Sequence, residues 1–159
     1  MSARKLLLFC SAMLTWSVLS LATSLRANPE DPWTPQQTVQ PADFAKELQQ
    51  EKDPYPTVIY VGVKTLYEGA HIPGSLPYGP GSTEQGLANL KKFAATLPKN
   101  SDVVLYCGCC PQEKCPNLRP AFRALEGNRF ARLRVLLLPT SFSADWVEKG
   151  FPVRKGQAP

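Results

Sequence analysis

Cys107, Cys109, Cys110 and Cys115 crowd into nine residues directly after Val103-Val104-Leu105-Tyr106, an apolar run that predicts a buried β-strand. A thiol at a strand's carboxyl end lies where open α/β sheets bind ligands, because the strand ends and the unpaired N–H groups of the next helix open into one crevice. A helix end and nearby cations stabilise thiolate there, as sulfur nucleophile chemistry requires. Cys107 is the leading candidate nucleophile. The other three thiols admit three readings. They are resolving or relay thiols that receive sulfur from Cys107, or Cys115 forms a disulfide with Cys109 or Cys110, or all four hold a soft metal such as zinc or copper(I). Cys107-x-x-Cys110 also has the spacing of a redox motif. Cys-x-Cys-Cys-x4-Cys is not a common zinc-finger spacing and no histidine is near it, so neither a resident metal nor a cofactor is expected. The missing histidine after Cys110 excludes c-type haem attachment.

The surrounding elements alternate. Pro41 suits the first turn of a helix running to about Gln50, with Phe44 and Leu48 on one face. Thr57 to Val61 is β-branched and predicts a strand. The stretch from Leu76 to Gly86 reads as a surface loop rich in Pro and Gly. Ser82 and Gln85 have capping-box spacing for a helix whose Leu87, Leu90, Ala94 and Leu97 form an apolar stripe. Asp102 to Cys107 predicts the central strand, Asn117 to Glu126 a helix and Leu133 to Leu138 a further strand. Ser143 is the expected cap of a short last helix that buries Trp146 and closes at Gly150. Strands alternating with helices imply an α/β fold, a mainly parallel sheet with helices on both faces.

The chain has 159 residues, 43 % of them hydrophobic and 19 % charged, which fits one globular domain. Arg4 and Lys5 precede an apolar stretch from Leu6 to Leu21, and small residues follow. This is the order of a secretory signal, so residues 1–27 are expected to be a signal peptide cleaved near 22–27, and the protein to be exported, periplasmic or secreted. The segment meets a membrane only if it stays uncleaved. Loss of Arg4 and Lys5 lowers the formal charge from +5 to +3. The remaining charges are scattered with no basic run interleaved with aromatics, so no nucleic-acid partner is expected. Residues 28–38 carry Pro29, Pro32 and Pro35 and read as an extended linker ahead of a domain over 39–155.

From Val39 to Val153 the sequence resembles the rhodanese (sulfurtransferase) family. Ala70-His71-Ile72-Pro73-Gly74-Ser75 is similar to the family's Gly-His-Ile-Pro-Gly-Ala signature. Val103 to Cys107 resembles the strand that ends in its catalytic cysteine. Ala121 to Leu125, Phe130, Trp146 and Gly150 to Val153 resemble its downstream pattern. The resemblance implies a rhodanese-like fold and makes Cys107 the thiolate that takes sulfane sulfur from a small anionic donor such as thiosulfate. Cys107 then passes that sulfur, as a persulfide, to a thiol or cyanide acceptor. It implies an anion-binding loop of backbone N–H groups from Gly108 to Cys110 and Gln112 to Cys115, with Lys114 and Arg119 either adding positive charge or facing solvent. The chain departs from the family in a lengthened loop after Cys107, in Asn117 at the usual Arg position, and in Tyr60 and Gly62 where Asp and Arg form an ion pair. His71 is expected to satisfy local backbone groups rather than act as a base. Two other functions fit the same residues. One is a thiol–disulfide or soft-metal-handling protein, with a redox partner protein, built on the four-cysteine cluster. The other is a catalytically silent binding module.

Overall fold

The computed structural model describes residues 31–157 apart from 51, 52 and 54; the expected signal segment and the start of the linker lie outside them. In chain order the elements are β1 (Thr38–Val39), α1 (Pro41–Leu48), β2 (Thr57–Tyr60), α2 (Lys64–Gly69), β3 (Leu76–Pro77), α3 (Glu84–Ala94), β4 (Asp102–Tyr106), α4 (Leu118–Glu126) and β5 (Arg132–Leu136), followed by a π-helical turn, Ser143–Val147. The five strands form one sheet in the order β1-β5-β4-β2-β3, and every pair is parallel. Among the described residues no helix is long and apolar enough to cross a membrane.

The period-two geometry of the central strand divides the core in two. Val103, Leu105 and Cys107 face α3 and α4, where Ile59, Leu90, Phe122, Leu125 and Val135 pack with them. Val104 and Tyr106 face the opposite layer with Phe44, Val58, Tyr67, Leu136 and Trp146. Both faces are thus covered, as a fully buried parallel strand requires. Trp146 has no exposed surface, and its Nε1 donates to Pro152 O at 2.9 Å.

Several local expectations change. The segment read as an extended linker is, in its described part, packed on the domain: Trp33 is buried edge-on to Phe122, and Thr38-Val39 adds an edge strand beside β5. Leu76-Pro77, read as loop, pairs with Ile59 and Tyr60; proline is tolerated because β3 is at the sheet's edge. The cap of α3 is Thr83, whose Oγ1 accepts from Gly86 N at 3.1 Å, while Gln85 donates to Asn89 instead of closing a box with Ser82. Ser143 does not cap the last turn. Asp145 Oδ2 accepts from Thr140 N and Ser141 N, and Ser141 Oγ accepts from Ala144 N.

Candidate active site

The chain leaves β2 towards β3 on one side, then returns through α3 to β4 and moves on to β5 on the other. The reversal puts a crevice between the carboxyl ends of β2 and β4, the position where open α/β sheets bind ligands. Val61 N donates to Tyr106 O at 2.9 Å and so extends the pairing by one residue, after which Gly62 and Cys107 face each other. A Cβ on Gly62 would lie 3.0 Å from Cys107 Sγ and 2.4 Å from the Tyr60 hydroxyl oxygen. The residue at 62 is therefore glycine for lack of space, and the Asp-x-Arg ion pair has no room here. Burial, then the neighbouring Cys107 sulfur, raises the Tyr60 hydroxyl far above its ordinary value.

Gly108 turns the chain with φ +74°. Its carbonyl accepts from Phe142 N at 3.0 Å, and a Cβ would meet that residue's Cβ at 2.6 Å. The added length of the loop folds into a 3-10 turn, Gln112–Lys114, which brings Cys115 back to the crevice at the start of α4. Gln112 pins this turn to the segment after β5: its N donates to Pro139 O at 3.2 Å, and its Oε1 accepts from Leu138 N at 2.8 Å. All four cysteines are free. The sulfurs of Cys107, Cys109 and Cys115 lie within 4.8 Å of one another, with 3.3 Å between Cys107 and Cys109 and 3.5 Å between Cys109 and Cys110.

The buried Asn117 binds the cluster together. Its Nδ2 donates to Cys107 Sγ at 3.6 Å and to Cys109 Sγ at 3.7 Å, while its Oδ1 accepts from Ser82 N at 3.0 Å. The usual Arg position of the resemblance is thus held by a neutral amide that donates to sulfur. Negative charge in the cluster is favoured on Cys115: a hydrogen bond from the Cys107 thiol and the N–H groups of Asn117 and Leu118 pull its thiol down to about 6. That is the stabilisation helix N-termini give to thiolates. The Cys107 thiol moves the other way, held protonated by its bond to Cys115 and by burial, with the Cys109 N–H opposing.

The anion-binding loop differs from its expected form. Gln112 N, Lys114 N and Cys115 N donate to Pro139 O, Pro111 O and Gln112 O respectively, so these amides are committed to the turn. Lys114 faces solvent, as one of its two readings holds. Arg119 does neither of the things expected of it. Its Nη2 pairs with Asp31 Oδ1 at 2.7 Å with both side chains largely buried, its Nη1 reaches the carbonyls of Gln112 and Cys115, and its guanidinium lies over the Trp33 ring. It clasps the loop from behind, its charge neutralised. His71 behaves as expected, with Nδ1 2.8 Å from Tyr67 O and backbone bonds to Arg154. Asn117 and Asp31 were not read from the sequence as site residues. The asparagine's place at the family's Arg position was the only signal for it, and Asp31 had none.

No protein-family model matches this chain, and no curated protein matches it. Solved structures do. The rhodanese-like domain of the Alr3790 protein from Anabaena sp. is 18% identical, with a TM-score of 0.53 over 75% of this chain and 79% of that one. The BH2092 protein from Bacillus halodurans is 18% identical, with a TM-score of 0.53 over 74% of this chain and 76% of that one. The thiosulfate sulfurtransferase from Pseudomonas aeruginosa is 20% identical, with a TM-score of 0.51 over 77% of this chain and 20% of that one. The chain has the rhodanese-like fold.

Proposed function

We propose that the protein is an exported sulfurtransferase that carries sulfane sulfur on Cys107. One observation carries the reading: a thiol at the end of the central strand, in the crevice at the sheet's switch point, with a hydrogen bond from Asn117 and two further thiols within 4.8 Å. The Cys107 thiol gives its proton to the Cys115 thiolate bonded to it, and its sulfur attacks the outer sulfur of a donor such as thiosulfate. The S–S bond of the donor breaks, sulfite leaves with its electron pair, and Cys107 holds the persulfide. A thiol or cyanide acceptor then takes the outer sulfur, and the Cys107 thiolate that leaves recovers its proton from Cys115. The N–H groups of Cys109, Asn117 and Leu118 are aimed at the cluster's sulfurs and offset the negative charge that moves among them. The likeness in fold to a thiosulfate sulfurtransferase supports this chemistry.

Peptide mass mapping of reduced protein after thiosulfate treatment tests the reading, paired with cyanide-dependent turnover. The expected result is one added sulfur on Cys107, lost in Cys107→Ser because a hydroxyl is a far poorer nucleophile than a thiolate. Sulfur on Cys115 instead, or full activity in Cys107→Ser, overturns the assignment. Export is tested by N-terminal sequencing of the protein from the producing cell. A start between Thr23 and Asn28 supports it and a start at Met1 refutes cleavage.

A further inference from the structure

The three sulfurs that approach one another have a second use. Three thiolates bound to one ion at about 2.3 Å stand about 4.0 Å apart when the ion lies in their plane. The sulfurs of Cys107, Cys109 and Cys115, all within 4.8 Å of one another and 3.3 Å apart at their shortest bonded pair, reach that arrangement with shifts of tenths of an ångström. We propose that these three thiols form a trigonal site for a soft monovalent cation, copper(I). This goes beyond sulfur transfer and stands without it.

The donor set selects the ion. Thiolate sulfur suits soft cations. Zinc in a structural site takes four ligands, and among the described residues no imidazole or carboxylate joins the three sulfurs. Cys110 sits 3.5 Å from Cys109 but outside the group in which all sulfurs are mutually close. Copper(I) is satisfied by three. Each sulfur binds as thiolate, any proton it still carries passing to water as the metal–sulfur bond forms, and no electron moves. The charge left over is met by donors already in place: Asn117 Nδ2 on two of the sulfurs and the Asn117 and Leu118 N–H groups on the third. Groups that orient and support ligands in this way are as much part of a metal site as the ligands. Cys109 and Cys110 are half-exposed and offer the ion an entry from solvent. Because Cys107 belongs to both sets, a bound ion and a persulfide exclude each other.

The test is an anaerobic titration of the reduced, metal-free protein with copper(I) in competition with a bathocuproine chelator, with no sulfur donor present. The expected result is one copper(I) per chain with three sulfurs at about 2.3 Å in X-ray absorption. Cys109→Ser, at a half-exposed position that leaves the circular dichroism unchanged, should weaken binding by about 100-fold, the upper end of what supporting groups alone are worth. Cys110→Ser should bind as the parent does. An equal loss in Cys110→Ser, four sulfurs in the absorption spectrum, or unaltered affinity in Cys109→Ser overturns the trigonal site. Sulfur loading is measured separately on metal-free protein, so its failure removes the sulfurtransferase reading and leaves this one standing.

Discussion

The two ends of β4 are built on opposite principles. At its start, Asp102 is buried and every charge around it is paired: Oδ1 accepts from Arg134 Nε at 2.9 Å, Oδ2 from Arg134 Nη2 and Arg132 Nη2 at 2.5 Å each, and Arg134 also grips Glu47 of α1 through two bonds of 3.0 and 2.9 Å. At its end, five residues on, the sulfurs of Cys107, Cys109 and Cys115 have an amide side chain and backbone N–H groups as donors, and Arg119 at the start of α4 is spent on Asp31. Paired hard charges hold β4, β5 and α1 together and have no reactivity left over. Soft sulfurs held by neutral dipoles keep theirs. One buried strand therefore separates the group that fixes the fold from the group proposed to carry the chemistry.

Breaking the fixed end should give the largest stability loss. Asp102→Ala leaves Arg134 and Arg132 short of a buried partner and should cost about 3–5 kcal/mol, read from urea unfolding, while sulfur loading of the folded fraction is unchanged. A loss under about 1 kcal/mol would mean that Glu47 alone neutralises both arginines and that the contrast between the two ends is overstated. Arg119→Ala removes the clasp behind the reactive end and should cost about 1.5–3 kcal/mol, the range for hydrogen bonds to a charged group. Proteolysis should then cut first between Pro111 and Pro116. An unchanged cleavage pattern would show that Gln112 alone holds the turn.

Asn117→Ala should cost only about 1 kcal/mol for the neutral bond to Ser82, and its main effect should appear as slower sulfur loading on Cys107 in rapid-quench mass measurements. Loading at the parent rate would remove the amide from the chemistry. The smallest effect belongs to Lys114→Ala, a change at an exposed position that should leave stability within about 0.5 kcal/mol. If Lys114 attracts the anionic donor at all, loading by thiosulfate should lose part of its salt dependence in this variant. An identical salt dependence makes Lys114 a solvating cation and nothing more.

The alternation of strands and helices, the parallel sheet and the position of Cys107 were legible in the chain because apolar runs and their periods report burial directly. The Gly150 turn, with φ +74°, and the burial of Trp146 were legible for the same local reasons. Two-residue strands such as Thr38-Val39 and Leu76-Pro77 show no period, and only their neighbours β5 and β2 make strands of them. The cap of α3 went to Thr83 rather than Ser82 because two adjacent hydroxyl residues offer the same local signal, and the helix entry angle chooses between them.

Long-range pairings had no signal at all. Arg134 meets Glu47 across 87 residues, and Arg119 meets Asp31 from a stretch whose prolines suggested a tether. Residue types and spacing determined that this chain places a cluster of thiols at the end of a buried parallel strand. Tertiary structure alone decided which sulfurs meet: Cys115 returns to Cys107 because Gln112 is pinned to Leu138 and Pro139 in the segment after β5, a contact between segments whose separation in sequence carries no periodic or compositional trace.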